Sequence, residues 1–550
     1  MNQKLKKEIK DEEDEEDKEP ASIRRNRIAE EIQNVYEFVT LRETEQPLFL
    51  DPETGMFNDG YTFLKQLIRE ALDEYYTKAS ASEIIEMVKV DTYRDTRDFQ
   101  CPVEWVNLQN GSFNLMTSEF IPRERKPDNT PYKEKIKALK ENRKKEMDEL
   151  RNKNPDPKTG DDARFLESQE EKIDIKFNKL IRKQKDAYAL EIQKWKKDQR
   201  TKFSKFNFTS MLPLDYNPEA SCPKIDEYFH QVQDGDDNVT RLYEIFGYCL
   251  WRRYDIKKLF LFVGENDTGK STVAAILSAL LGYGNFSALS LQSIQDDKFE
   301  KVKLIDKYAN ISGELGSAFI KNTQLLKELM GGDWIDPRLM HTQKSRLFIN
   351  FAKLIFLANK IPQTYEMDNA YYSKVEIIEF LHQFKEGDEG TRSRSELLAE
   401  LLTESELSGL FNRSVIALRE LLKKQKFTKS KTFEETKELY RIKANPFIYY
   451  IEEVLGVNNG MDEIEDLDRN LVKQYRQEVF GNFLAMLKQY NLPEWSETLF
   501  FTRFNKYLRE QFGMDYKAKL DTTNHKWYYP GIYLKKLWAD TGSNMSLDDI

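Results

Sequence analysis

The residues best suited to chemistry stand together in the stretch KLFLFVGENDTGKSTVAAILSALLG. Gly264, Gly269, Lys270 and Ser271 satisfy the spacing GxxxxGK[ST]. An apolar strand expected over Leu259 to Val263 runs into this loop, and a helix expected over Val273 to Leu281 leaves it. In a strand–loop–helix of this kind, backbone N–H groups and the helix amino terminus cradle phosphate oxygens, and glycines let the backbone turn tightly and approach closely. Lys270 would reach the β- and γ-phosphates of ATP, and the Ser271 hydroxyl would sit on Mg²⁺. Glu265, Asn266, Asp267 and Thr268 complete the loop and Thr272 follows it, so 264–272 is the expected cofactor site.

Three further groups lie downstream. KYANISGEL reads as a short strand ending in Glu314, a carboxylate positioned to polarise an attacking water and to help hold Mg²⁺. Many phosphate-loop enzymes carry two acids there, whereas this chain has Gly313-Glu314. KLIFLAN reads as a buried strand ending in Asn359, whose carboxamide could sense a γ-phosphate; strand-end Asn is also an ordinary turn former. Between them, LLKELMGGDWIDPRLMHTQKSRLFINF reads as a helix stopped by Gly331-Gly332 and then a polar strand pair. Arg338, His341, Lys344 and Arg346 stand near its tip, either as a solvated hairpin or as a cationic grip on nucleic-acid phosphates.

The elements that must position these groups fall into segments. Residues 1–21 form a charged tail too polar to order itself. Residues 22–131 read as a small α+β module, with a hairpin signal at Asn110-Gly111. Between Tyr132 and Lys205 there are 23 Lys/Arg against 15 Asp/Glu, with apolar residues at helical spacing. Two long helices in an antiparallel hairpin are expected over 132–205, either merely solvated or contacting nucleic acid or a neighbouring subunit. A helical collar at 206–258 leads into an α/β core at 259–381, followed by a helical lid and connector at 382–460. Residues 461–540 read as a winged helix, with Arg503, Lys506 and Arg509 on one helix face suited to DNA, and 541–550 as a tail.

The composition narrows the class. The chain has 550 residues, 33% of them charged, and a net charge of −9, which excludes a uniformly basic coat but not a local basic channel. Three scattered cysteines and four histidines argue against a zinc site or disulfide framework and for a reducing, cytoplasmic compartment. No apolar run approaches membrane-spanning length, so no membrane partner is expected.

Taken together, Gly264–Ser271, the single-acid strand ending at Glu314, KELMGGD and LIFLANKIP resemble the ordered motifs of superfamily-three helicases of the phage, plasmid and poxvirus primase-helicase type. LPLDYNPEASCPKIDEYFHQV and ELSGLFNRSVIALRELL are similar to that family's flanks. The resemblance implies an AAA+-like motor in a homo-hexameric ring around single-stranded DNA. It also implies ATP sites between subunits, 3′→5′ unwinding of forked DNA, and replication of a virus, plasmid or integrated element. Two features depart from it. The family supplies an arginine from the neighbouring subunit, but Lys374 stands at the corresponding place and no Arg occurs between Asn359 and Arg392. Lysine lacks arginine's fork, so Lys374 would substitute weakly, or Arg392 or Arg394 would reach in. The 22–131 module also lacks a paired-carboxylate site, so a primase or polymerase is expected only in trans. Three readings therefore stand: a DNA-translocating ATPase, an ATP-ordered ring on DNA with little turnover, and a different phosphate-loop activity. The single acid and the Gly-Gly-Asp segment speak against the third.

Overall fold

A computed structural model describes residues 20–154, 160–296, 300–314, 323–335, 347–361, 369–384, 393–457, 473–490, 492–512, 518–530, 532–534, 536–538 and 544–546. The fold is mixed α/β. It begins with α1 (Ala21–Val35), β1 (Phe38–Leu41), β2 (Gln46–Asp51), β3 (Met56–Asp59), α2 (Tyr61–Leu72), α3 (Lys78–Asp91) and β4 (Tyr93–Arg94). The strands pair in the order β3-β2-β1-β4. One stripe on each helix closes a core of Ile28, Ile32, Leu64, Ile68, Ile84 and Val88, as helical periodicity requires. Next come β5 (Trp105–Leu108), β6 (Gly111–Asn114) and β7 (Phe120–Pro122), an antiparallel sheet turning at Gln109-Asn110. Here the structure divides the expected 22–131 module. Val106, Leu108, Phe113 and Leu115 pack into the largest core of the protein, together with residues 212–281, and Leu108 bridges Leu212.

The charged segment forms α4 (Thr130–Lys153) and α5 (Gly160–Phe203), which pack along one another. At 1.5 Å per residue the 44 residues of α5 reach about 66 Å. The base of this arm is tied down: Trp195 Nε1 donates to the Glu124 carbonyl at 3.0 Å, and Arg200 pairs with Glu37 at 2.7 Å.

The chain then builds α6 (Pro223–Val232), α7 (Gly235–Leu250), β8 (Leu259–Val263), α8 (Lys270–Leu281), β9 (Phe286–Ser287) and β10 (Ala309–Glu314). There follow α9 (Thr323–Leu329), β11 (Trp334–Ile335), β12 (Phe348–Ile349), β13 (Lys353–Ala358) and β14 (Val375–Glu379). Five of these strands form a parallel sheet in the order β14-β8-β13-β10-β9. The apolar runs of its central strands β8 and β13 do not alternate with polar residues, because both faces are covered. Phe260 and Phe262 of β8 pack with Val273, Leu277 and Leu280 of α8, whereas Leu259, Leu261 and Val263 pack with Leu326, Tyr371 and Tyr372.

Beyond the sheet lie α10 (Arg394–Leu401), α11 (Glu404–Lys424) and α12 (Phe433–Ala444), each started by a Ser or Thr side chain that accepts from the backbone three residues on. Helices α7 and α11 cross at Gly247, where a Cβ would fall 2.2 Å from the Ser414 carbonyl oxygen. Buried ionisable groups brace the sheet. Glu376, 2% exposed, meets Arg241 at 3.4 Å, Lys258 at 3.3 Å and the Ser430 hydroxyl at 2.5 Å. Lys353 Nζ donates to the carbonyls of Trp251 and Phe351 at 2.6 and 2.8 Å and lies over the rings of Tyr248 and Tyr254. Burial pushes its pKa down to about 7.

The last unit comprises β15 (Leu455–Val457), β16 (Lys473–Tyr475), α13 (Arg476–Gln489), α14 (Glu497–Phe512), β17 (Lys519–Asp521), β18 (Lys526–Pro530) and β19 (Ile532–Leu534). The expected boundary at 460 cuts through it. Ile442, Phe447, Tyr450 and Val454 share one core with Phe483, Phe500 and Phe504, and β15 pairs with β19. Helix α12 therefore spans two cores, giving Leu439 and Tyr440 to the sheet side and Ile442 to the C-terminal side. Among the described residues no helix is long and apolar enough to cross a membrane.

Candidate nucleotide-binding site

The loop Gly264–Gly269 leaves the carboxyl end of β8, the strand flanked by β13 and β14. From β8 the chain crosses to the far edge at β9, and from β13 it crosses back to β14. Crevices at carboxyl strand ends where connections diverge are the usual ligand sites of open parallel sheets. The loop's shape depends on its glycines. A Cβ at Gly264 would lie 2.3 Å from the Phe380 carbonyl oxygen, which is fixed because Phe380 N–H donates to Val263. Gly269 has φ +87°, and a Cβ there would lie 2.6 Å from Val232 Cγ1 and 2.8 Å from the Tyr228 hydroxyl. Asp267 also takes a positive φ of 58°.

Lys270, 7% exposed, turns its ammonium into the loop. It donates to the Gly264 carbonyl at 2.7 Å, to Thr268 Oγ1 at 3.2 Å and to the Glu265 carbonyl. Thr268 Oγ1 also donates to the Glu265 carbonyl at 2.9 Å, and Phe384 N–H donates to the Asp267 carbonyl at 2.9 Å. Gln383 reaches the Asn266 carbonyl at 3.5 Å. Ser271 is exposed on the first turn of α8, where N–H groups have no intrahelical acceptor and the helix dipole is positive. Thr272 is buried.

The other expected residues divide by location. Ala358 pairs with Val263, and its carbonyl accepts from Gly264 N–H at 3.2 Å, so Asn359 begins beside the loop. Glu314 is the last residue of β10, opposite Leu357 after a register shift, at this same carboxyl edge. It lies two strands from β8, roughly 10 Å at ordinary strand spacing. Lys374 lies at the other end. Val375 pairs with Leu259, and the Lys374 carbonyl accepts from Leu259 N–H at 2.8 Å. The full length of β8, roughly 16 Å, therefore separates Lys374 from the loop of its own chain. Arg338, His341, Lys344, Arg346 and Arg392 lie outside the described residues. The strands flanking the first four, β11 and β12, pair antiparallel.

Arg503, Lys506 and Arg509 are exposed on α14, opposite the buried Phe500, Phe504 and Leu508. Arg503 lies 4.9 Å from the Trp495 ring centroid and Lys506 3.8 Å from Glu510. Sequence reasoning missed the role of α6. Tyr228 and Val232 of α6 form the wall behind Gly269, and burial raises the Tyr228 phenol above its ordinary pKa. Arg394, at the start of α10, acts electrostatically on Tyr228 and so stands on the loop's side of the molecule. The spacing Tyr228–Val232 marks a helix face but carries nothing that points to a loop 37 residues away.

The sheet and loop define a mixed α/β protein whose crevice is built from one chain's own strand ends. A family of unknown function (DUF5906) matches residues 262–370, a span that holds the loop, β10 and β13. No curated protein matches the chain. Among solved structures, the A form of the apo C-terminal region of NrS-1 is 14% identical, with a TM-score of 0.32, covering 58% of this chain and 77% of that one. The JCV helicase is 18% identical, with a TM-score of 0.24, covering 40% of this chain and 63% of that one. Both likenesses are distant.

Proposed function

We propose that this chain is an ATP-driven DNA helicase motor, working as a homo-hexameric ring on single-stranded DNA. The observation that carries the reading is the 264–272 loop: a backbone cradle that no Cβ can enter at Gly264, with the Lys270 ammonium buried at its centre and a helix amino terminus behind it. The cradle suits the triphosphate of ATP, because it offers a buried cation and the positive end of a helix. In this reading Lys270 exchanges its carbonyl partners for β- and γ-phosphate oxygens, and Ser271 and Glu314 hold Mg²⁺. Bound Mg²⁺ would offset charge on the phosphoryl group being transferred. Asn359 orients water at the crevice, and Lys374 serves the site of a neighbouring subunit, since its own loop is out of reach. Arg338, His341, Lys344 and Arg346 grip the strand. Arg503, Lys506 and Arg509 face forked duplex from a winged-helix unit. A primase or polymerase acts in trans.

A ring with little turnover is the second reading. It is favoured by Lys374, which stands where an arginine is expected and lacks arginine's fork. ATP hydrolysis measured with and without single-stranded DNA separates the two. A helicase motor requires stimulation by DNA, loss of nucleotide binding in Lys270→Ala and loss of turnover with retained binding in Glu314→Gln. Wild-type hydrolysis indifferent to DNA overturns the motor in favour of the low-turnover ring.

A further inference from the structure

The arm formed by α4 and α5 sorts its charges. Four of its acids pair across the seam between the helices. Asp174 meets Arg143 at 2.7 Å, Glu170 meets Arg151 at 2.7 Å, Glu146 meets Lys176 at 2.8 Å, and Glu191 accepts from the Tyr132 hydroxyl at 2.7 Å. The apolar residues Phe177 and Ile181 are buried on that same side of α5. Over 172–183 the outward face is mainly cationic, interrupted by the exposed Ile175. Lys172, Lys176, Lys179, Arg182 and Lys183 are all exposed, and at 100° per residue they fall within one 120° sector of the helix. Among the described residues, Lys172, Lys179, Arg182 and Lys183 form no ion pair.

A helix face that is only solvated gains from Glu and Lys placed three or four residues apart. This one does the reverse. Lys179 with Arg182 and Lys179 with Lys183 are like-charge neighbours, each costing about 0.2–0.5 kcal/mol, while Lys176, also three or four residues from Lys172 and Lys179, is paired by Glu146. Asp186 is the first acid to follow the run. The repulsion is tolerated on a rod braced at its base by Trp195 and Arg200. The ladder covers about 16 Å along the axis. Duplex DNA carries a phosphate every ~3.4 Å along each strand, at fixed positions that a straight rod can match.

We infer that the outward face of α5 over Lys172–Lys183 is a docking surface for the phosphate backbone of double-stranded DNA. The assignment goes beyond the motor reading and stands apart from nucleotide turnover, so Lys270→Ala should leave it intact. The test is binding of the full chain to a 30-base-pair duplex and to one of its single strands, across a series of NaCl concentrations. Three proteins are compared: wild type, the triple variant Lys172→Gln/Lys179→Gln/Lys183→Gln, and a control removing as many exposed charges at and just beyond the end of α11, Lys423→Gln/Lys424→Gln/Lys426→Gln. The arm variant should lose about tenfold or more in duplex affinity at low salt, and its slope of log affinity against log salt should flatten by about 2–3. The control should match wild type. The inference is overturned if the arm variant keeps the wild-type duplex slope, if only single-strand binding changes, or if the control loses as much as the arm variant. Unchanged helix content by circular dichroism verifies that the exposed substitutions leave the arm folded.

Discussion

Replacing Gly247 by alanine puts one methyl group where α7 and α11 touch. The added Cβ would lie 2.2 Å from the Ser414 carbonyl oxygen and 2.9 Å from Leu418 Cβ. Restoring ordinary contact at 3.4 Å requires about 1.2 Å more separation from a backbone atom that cannot rotate away. Overpacking of a well-filled core costs about 1–3 kcal/mol, and a helix-to-helix backbone contact belongs at the upper end. Such a loss lowers the midpoint by about 2–4 °C per kcal/mol in a domain of this size, so a fall of roughly 5–10 °C is expected. Trp251, buried just after α7, is a suitable fluorescence reporter of the melt. Gly481 gives the contrast. It also lies within a helix, but nothing stands within 4 Å of its added Cβ, so alanine there should stabilise by about 0.5–1 kcal/mol through helix propensity alone. A Gly247→Ala protein that melts with wild type would refute the reasoning.

Other outcomes follow from the same geometry. Gly264→Ala drives a Cβ into the Phe380 carbonyl, so affinity for a fluorescent ATP analogue should fall at least about tenfold, the equivalent of 1.4 kcal/mol; undiminished binding would contradict the cradle. Glu376→Ala leaves Arg241 and Lys258 without their shared carboxylate, and the urea midpoint should report a loss of about 3–5 kcal/mol. Lys353 titrates at about 7 in the fold against 10.5 when free. Between those limits the unfolded chain holds a proton that the folded chain lacks. Stability therefore rises with pH through this window, by at most about 1.4 kcal/mol per unit, and is lost again as pH falls toward 7. Lys353→Met should flatten that slope in urea titrations between pH 7.5 and 9, below the range in which Cys249, raised by burial to about 12 from 9, opposes it.

Local patterns carried part of this organisation. The loop was legible because Gly264, Gly269, Lys270 and Ser271 lie within eight residues, and their turn geometry is a property of that stretch. The segment ending at Glu314 was legible as a short strand and KLIFLAN as a buried one, read to Asn359 where the strand ends at Ala358. Their meeting at one sheet edge was not, since it depends on a strand order that no spacing encodes. The same blindness applies to Lys374: its position relative to β14 was readable, but the end of the sheet it occupies was not. The hairpin at 105–114 read as part of an amino-terminal module because its partners, Leu212 and the α6–α7 core, lie about a hundred residues on. The acidic stretch after Met461 suggested a boundary by composition, while packing had already joined 442–455 to the following unit. Lys353 opens an apolar strand, and its burial is met largely by groups far away in sequence, the Trp251 carbonyl and the rings of Tyr248 and Tyr254.

Helix α12 couples two bodies more tightly than a flexible linker would. Tyr440 packs against Tyr371 and Tyr372, at the approach to β14, while Ile442, half a turn further, is embedded in the C-terminal core. One short helix is thus shared between two cores, so repacking at Tyr440 is felt beside β14 and repacking at Ile442 in the C-terminal unit, two residues apart.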